Sequence, residues 1–77
     1  MGQFPSRSSR QLEALVEHFG FRWDRNGRHG GLWAPPLSGR PVCMPLDKRA
    51  IPGGTVRAIL REAGITREQA FAFWGLH

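Results

Sequence analysis

Apolar residues recur at helical spacing near the start of the chain. Between residues 8 and 20, apolar side chains fall at i, i+3, i+4 and i+7, which places them in one stripe on a helix. The stripe consists of Leu12, Leu15, Val16 and Phe19. Ser8 and Gln11 have the spacing of an N-terminal capping box, and Gly20 stands where a left-handed C-terminal cap is expected. The pattern predicts a first helix over residues 8–20.

Two further helices are predicted in the last third of the chain. The segment 53–63 carries a second apolar stripe, and Gly64 follows it as a C-terminal cap. The second stripe consists of Val56, Ile59, Leu60 and Ala63. Thr66 and Gln69 form another capping box, so a short last helix is predicted over residues 67–74.

Three segments between the first two helices have the patterns of β-strands. Residues 21–25 alternate apolar and polar side chains, which predicts a half-buried strand. The Asn26-Gly27 pair that follows is a strong signal for a tight turn. Residues 29–34 and 40–46 are predicted as the second and third strands. Two prolines in the third strand lack a backbone N–H, which favours a position at the edge of the sheet.

The predicted order of elements is helix, three antiparallel strands, helix and a short extra C-terminal helix. This order gives an α+β fold with helices on one face of a three-stranded sheet and the other face open. Residues 1–7 are expected to form an N-terminal tail, and residues 8–77 a single domain.

The strand register decides which side chains reach the open face. A register that keeps apolar residues together gives the pairs Leu32–Met44, Trp33–Cys43 and, continued outward, His29–Asp47. The side chains expected to face the core are Leu32, Ala34, Val42, Met44 and Leu46. Trp33 and His29 then face outward, although a slip of one residue would invert every face.

The charge balance indicates the class of partner. Eleven Lys and Arg side chains oppose six Asp and Glu, a net charge of +5, and the isoelectric point is near 11.4. Ten of the eleven cations are arginine, whose planar guanidinium suits phosphate and stacks on bases. A basic single domain of this kind favours nucleic acid, with an acidic protein as the alternative partner.

Other classes of protein are disfavoured. The single cysteine excludes an internal disulfide and a cysteine-cluster zinc site. The carboxylates are scattered and the three histidines are far apart in sequence, so no metal or other cofactor is expected. No signal peptide and no apolar run of 18 residues is present, so we expect a cytoplasmic protein without membrane attachment.

His29 is the candidate for proton transfer, because an imidazole has a pKa near 6.5 and holds both proton states at neutral pH. On a basic surface it could move the proton of an RNA 2′-hydroxyl while arginines offset charge on phosphate. The alternative is a surface histidine in a glycine-rich loop. Trp33 is either covered by another segment or a platform on which a base stacks.

A phosphate site is a second candidate. Lys48 and Arg49 precede the Pro-Gly-Gly-Thr sequence that opens the second helix, where Gly54 and Thr55 would present backbone N–H groups at the positive end of the helix dipole. The alternative is that these residues only form the connection from the loop into the second helix and bind no phosphate. Asp47 either orients His29 through its other ring nitrogen or is a turn residue.

Several residues stand in an order and at spacings that resemble the sequence pattern of a known family. They are Ser8-Ser9, Leu15, Gly20 with an aromatic residue after it, Gly27-x-His29, Pro45, Lys48 and Gly54-Thr55 with VRAILREAGI behind them. From Ser8 to about Ile65 the chain resembles the HicA-type toxins of bacterial HicA–HicB toxin–antitoxin pairs.

The resemblance implies a double-stranded-RNA-binding-domain-like fold and an endoribonuclease that acts on mRNA. It also implies His29 as the catalytic histidine, Gly27 as its supporting glycine, and a HicB-type antitoxin that covers this surface. Where the family usually reads Gly-Ser-His-His, this chain has Arg28 and Gly30 in place of the serine and the second histidine. After Pro45 it has Leu46 and Asp47, where the family often has histidine or another polar residue.

The sequence is therefore compatible with three functions. The first is a metal-independent mRNA endoribonuclease toxin in which Arg28, Lys48 and Arg49 hold phosphate. The second is a non-catalytic RNA-binding module on the same fold. The third is an interaction domain whose basic face serves only an acidic protein.

Overall fold

The structure, a computed structural model, describes residues 4–28 and 30–76 of the chain. The elements are α1 (Ser9–His18), β1 (Arg22–Asn26), β2 (Gly31–Ala34), β3 (Val42–Met44), α2 (Gly53–Ala63) and α3 (Arg67–Trp74). The strands form one antiparallel sheet in the order β1-β2-β3. The predicted α+β architecture, with a third helix after the α-β-β-β-α core, is confirmed.

Helix α1 is capped at both ends by its own sequence. The Gln11 N–H donates to Ser8 Oγ at 3.1 Å and the Ser8 N–H donates to Gln11 Oε1 at 2.8 Å, which completes the predicted capping box. Gly20 has φ +94°, and the Phe21 N–H behind it donates to the Val16 carbonyl at 3.0 Å. These bonds satisfy free backbone groups at both ends. The helix ends at residue 18, two residues before the predicted end.

Helices α2 and α3 have the predicted bounds. Gly64 adopts a left-handed conformation with φ +73°, and the Ile65 N–H donates to the Leu60 carbonyl at 3.0 Å. Thr66 and Gln69 exchange the two bonds of a capping box at the start of α3. Local capping therefore fixes where each helix begins and ends.

The core lies between the helices and one face of the sheet, and α1 and α2 both contact β3. Its buried residues are Leu12, Leu15, Val16, Phe21, Trp33, Val42, Met44, Ile51, Val56, Ile59, Leu60, Ile65 and Ala70. Each large side chain among them contributes about 1.5–3 kcal/mol by leaving water. None of the helices in the described part of the chain is long and apolar enough to span a bilayer.

The predicted register of β2 against β3 is wrong by one residue. The structure pairs Gly31 with Met44, Leu32 with Cys43 and Trp33 with Val42. Because side chains alternate between faces, this shift turns Trp33 into the core, where it is 8% exposed. Leu32 and Ala34 face the open side instead of the helices.

The inversion has a physical cause. An indole buries more apolar area than a leucine side chain, so the core gains more from Trp33 than from Leu32. Leu46, also predicted to face the core, lies beyond the end of β3 and is 39% exposed. The register on which the pairing of His29 with Asp47 rested is therefore not the observed one.

Strand β1 is exposed along its whole length, and the prediction of a half-buried strand is wrong. Phe21, which gave the alternation its first apolar position, is buried before the strand begins, where it follows the cap of α1. Trp23 lies within the strand and is 56% exposed. The strand also has a bulge at Asp24, because Trp23 pairs with Trp33 while Arg25 pairs with Leu32.

The other two strands are shorter than predicted. Strand β2 begins at residue 31 instead of 29, and β3 covers only Val42–Met44. Pro41 and Pro45 flank β3 immediately, which explains its length, since proline cannot donate to the ladder. The edge position predicted for this strand is confirmed.

Residues 4–7 of the predicted tail pack against the C-terminal helix. The rings of Phe4 and Phe71 meet edge to face with centroids 5.6 Å apart. The guanidinium of Arg7 lies 5.2 Å from the Trp74 ring centroid, and the Trp74 Nε1–H donates to the Gln11 carbonyl at 3.3 Å. Residues 4–7 and α3 thus meet beside α1.

Candidate active site

The loop between β1 and β2 has four residues instead of the predicted tight turn. Asn26 pairs with Gly31, and the Gly27 N–H donates to the Gly30 carbonyl at 2.6 Å, which closes the loop. Arg28 is exposed. His29, the predicted catalytic residue in this loop, lies outside the described residues, and its role stays a prediction. We refer to residues 27–30 as the catalytic loop, after the role predicted for His29.

Gly30 holds the catalytic loop against the end of β3. It is buried, and a Cβ added to it would collide with the Met44 carbonyl oxygen and lie 2.9 Å from the Met44 carbonyl carbon and 3.3 Å from Pro45 Cα. No side chain fits there, so this position requires glycine. The contact brings the loop to the point where the chain leaves β3 toward Lys48 and Arg49.

Ser9 ties the segment after β3 to the start of α1. Its Oγ donates to the Pro45 carbonyl at 2.7 Å and accepts from the Lys48 N–H at 3.0 Å. Its own N–H donates to the Lys48 carbonyl at 2.9 Å. Ser9 is 4% exposed, so these bonds are shielded from water. They fix the backbone on both sides of Leu46 and Asp47.

A cleft of about 500 Å³ opens beside this junction. It is lined by Ser8, Ser9, Arg10, Glu13, Asp47, Lys48 and Arg49. Burial raises the pKa of Glu13, the nearby Asp47 carboxylate raises it further, and Arg10 acts in the opposite direction. Among the residues that line the cleft are three cations and two carboxylates. Asp47, whose backbone has φ +53°, contributes negative charge next to Glu13.

The predicted phosphate site is divided between two places. Lys48 and Arg49 line the cleft at the start of α1, whereas Gly54 and Thr55 are exposed in the first turn of α2 and do not line it. A Cβ on Gly53 would collide with the Phe4 carbonyl, so the N-terminal segment covers part of that helix end. That these four residues hold one phosphate stays a prediction, but only Lys48 and Arg49 of the four line this cleft.

Trp33 does not present a ring face to solvent, and its predicted role as a stacking platform is corrected by its burial. Its Nε1 is buried without a hydrogen-bond partner. The exposed tryptophan is Trp23, which sequence reasoning passed over. The sequence does distinguish the exposed tryptophan from the buried one, since charged side chains flank Trp23 whereas apolar side chains flank Trp33.

The open face of the sheet carries two arginines that sequence reasoning did not single out. Arg22 pairs with Ala34 and Arg25 with Leu32, so both lie on the face away from the core. Cys43 also lies on this face, as its predicted pairing with an outward Trp33 implied, although its partner in the structure is Leu32. Arg25 contacts Asp24 at 3.1 Å, but both side chains are exposed, and such a pair contributes little stability.

Within residues 4–28 and 30–76, no three His, Cys, Asp or Glu side chains are grouped so that they could hold a metal ion. Arg28 in the catalytic loop and Lys48 and Arg49 in the cleft are exposed cations.

The fold is that of a double-stranded-RNA-binding-domain-like α+β protein with one added helix, and the catalytic loop lies at the end of its sheet. The model of the family described as HicA toxin of bacterial toxin–antitoxin matches residues 9–65. The chain belongs to this family and is the toxin type of a toxin–antitoxin pair, for which a cognate HicB antitoxin is the partner. No curated protein and no solved structure matches the chain at a significant level.

We expect Ser9→Ala to lower the free energy of unfolding by about 1.5 kcal/mol, because it leaves the Pro45 carbonyl and the Lys48 N–H without their partner. Urea unfolding followed by circular dichroism measures the change. Ser38→Ala, in the exposed β2–β3 connection, is the matched control and should change stability by less than about 0.5 kcal/mol. Equal stability of the two variants would show that the Ser9 bonds do not hold the junction.

Proposed function

We propose that the protein is a metal-independent endoribonuclease that cleaves mRNA, with His29 as the group that transfers the proton. One observation supports this proposal most. Gly30 lies against Met44 and Pro45, so the loop that contains His29 borders the segment leading to Lys48 and Arg49. A phosphodiester at the loop would have cations on both sides.

The proposed reaction uses the 2′-hydroxyl of RNA as the nucleophile. The imidazole removes the 2′-hydroxyl proton, the 2′-oxygen forms a bond to phosphorus, and the bond from phosphorus to the 5′-oxygen breaks. A proton then goes to the departing 5′-oxygen, which leaves a 2′,3′-cyclic phosphate and a 5′-hydroxyl. Arg28 and Lys48 would offset the negative charge that develops on the phosphate oxygens.

Charge outside the site supports an RNA substrate. The net charge of +5 and the exposed Arg22 and Arg25 on the open face favour a polyanion over a neutral ligand. We infer that the cognate antitoxin neutralises the toxin by covering the catalytic loop and these cations.

A non-catalytic RNA-binding module is the second candidate. The observation that favours it is Gly30, because this position, where the family usually has a histidine, has no room for a side chain. Such a module would keep the salt-dependent affinity for RNA but would leave the RNA intact.

The test is cleavage of a single-stranded RNA by the purified toxin in excess EDTA. We expect products to form at the same rate with and without EDTA, since no metal ion takes part in the proposed step. RNA binding without products would favour the binding module. Failure to bind RNA even at low salt would contradict both and favour an acidic protein partner.

A further inference from the structure

The ring of Trp23 is exposed at the end of the sheet that carries the catalytic loop. Its cross-strand partner Trp33 is buried, whereas Trp23 is 56% exposed. The Trp23 Nε1–H donates to Asn26 Oδ1 at 3.3 Å. Asn26 is the residue immediately before the loop, so the ring is tied to the start of the loop.

Trp23 also approaches the segment that follows β3. A Cβ placed on Gly31 would lie 3.5 Å from Trp23 Nε1 and 3.6 Å from Leu46 Cδ2, so both side chains reach over this glycine. Leu46 is 39% exposed and is followed by Asp47 and Lys48. We call Trp23, Gly31 and Leu46 the Trp23 patch, which joins the catalytic loop to the entrance of the cleft.

The charges around the patch select a polyanion as its occupant. Arg28 is exposed in the adjoining loop, and Lys48, also exposed, lies two residues after Leu46, whereas Arg22 and Arg25 lie on the opposite face of β1. An apolar protein surface would gain nothing from these cations. A nucleotide pairs a flat apolar base with an anionic phosphate, which fits an exposed indole beside the segments that carry Arg28 and Lys48.

We propose that Trp23 stacks an unpaired base of the RNA next to the bond that is cleaved, which makes the substrate single-stranded at that nucleotide. This inference rests on the proposed function. Bases within a duplex are already stacked on their neighbours and do not offer a free face. Trp23 thereby selects where the strand enters the site, and the catalytic loop acts on the adjoining phosphodiester.

The test uses a single-stranded oligonucleotide with 2′-deoxy sugars, which binds but lacks the nucleophile. It is titrated into the parent, Trp23→Ala and Trp23→Phe, and affinity and tryptophan fluorescence are measured. We expect Trp23→Ala to bind about 5- to 160-fold more weakly, the equivalent of one base stack. Trp23→Phe should keep affinity within a few-fold of the parent and lose the fluorescence quenching. Leu37→Ala, at a side chain that is 82% exposed in the β2–β3 connection, should bind like the parent.

Cleavage kinetics provide a second readout. Trp23→Ala should raise KM for single-stranded RNA with little change in kcat, because the stack is made before and during the reaction. Its affinity for a blunt RNA duplex should equal that of the parent. These differences separate a contact with a base from a general weakening of the fold.

The failures of the two proposals are distinguishable. If the parent cleaves RNA and Trp23→Ala binds the oligonucleotide as tightly as the parent does, the stacking role is overturned and the ribonuclease assignment stands. If Trp23→Ala loses affinity for the antitoxin but not for the oligonucleotide, the stacking role is likewise overturned and the ribonuclease assignment stands. If the parent neither binds nor cleaves RNA, the ribonuclease assignment and the stacking role both fall.

Discussion

His29→Ala should cleave RNA about 10²–10⁴-fold more slowly than the parent, which is the usual contribution of one positioned acid–base group. Its affinity for RNA should change little, because the cations and the exposed indole that attract the strand remain. Single-turnover cleavage and filter binding with the same oligonucleotide measure the two quantities separately.

His18 provides the matched control for this prediction. It is exposed on α1, where its ring centroid lies 4.9 Å from that of Phe73. His18→Ala also removes one imidazole side chain and should cleave RNA at the parent's rate. Equal losses in both variants, or full activity in His29→Ala, would remove the catalytic role of His29.

Gly30→Val should lower the free energy of unfolding by about 3 kcal/mol, the upper end of the usual cost of overpacking. The added Cβ meets backbone atoms of Met44 and Pro45, which cannot rotate away as the end of a flexible side chain would. The variant must separate the catalytic loop from β3, so we also expect it to lose RNA cleavage. Urea unfolding measures the stability.

Gly54→Ala is the control for this substitution, because a Cβ at Gly54 meets no atom within 4 Å. Alanine is also a better helix residue than glycine, so the variant should be as stable as the parent or gain up to about 1 kcal/mol. If Gly30→Val were as stable as Gly54→Ala, the catalytic loop would not lie against β3.

The helices could be predicted from the sequence because their signals are local. The capping boxes at Ser8 and Thr66 and the glycines at 20 and 64 each act within six residues of a helix end. Such short-range bonds require no knowledge of the rest of the fold. The bounds of α2 and α3 therefore matched the prediction.

The faces of the sheet could not be predicted in the same way. Leu32, Trp33 and Ala34 are consecutive and all apolar, so the sequence contains no alternation that distinguishes the two faces of β2. The choice depends on how much apolar area the core can accept from Trp33, which is a property of the assembled helices and sheet.

The site was only partly predictable because its connections are long-range. Ser9 and Lys48 are 39 residues apart in the chain, and nothing in their local sequence indicates the bonds between them. Lys48 and Gly54 are close in sequence, yet Lys48 is bonded to Ser9 at the start of α1, whereas Gly54 lies in the first turn of α2. Composition did indicate a basic surface, and the exposed arginines agree with it.

The chemical identity of the new RNA ends tests the proposed proton transfer most directly. An RNA is cut by the toxin in EDTA, and the products are identified by mass spectrometry. Attack by the 2′-hydroxyl predicts 2′,3′-cyclic phosphate and 5′-hydroxyl ends, and no cleavage where the nucleotide carries a 2′-deoxy sugar. Products with 5′-phosphate ends, or cleavage that continues at the 2′-deoxy position, would contradict the proposed reaction.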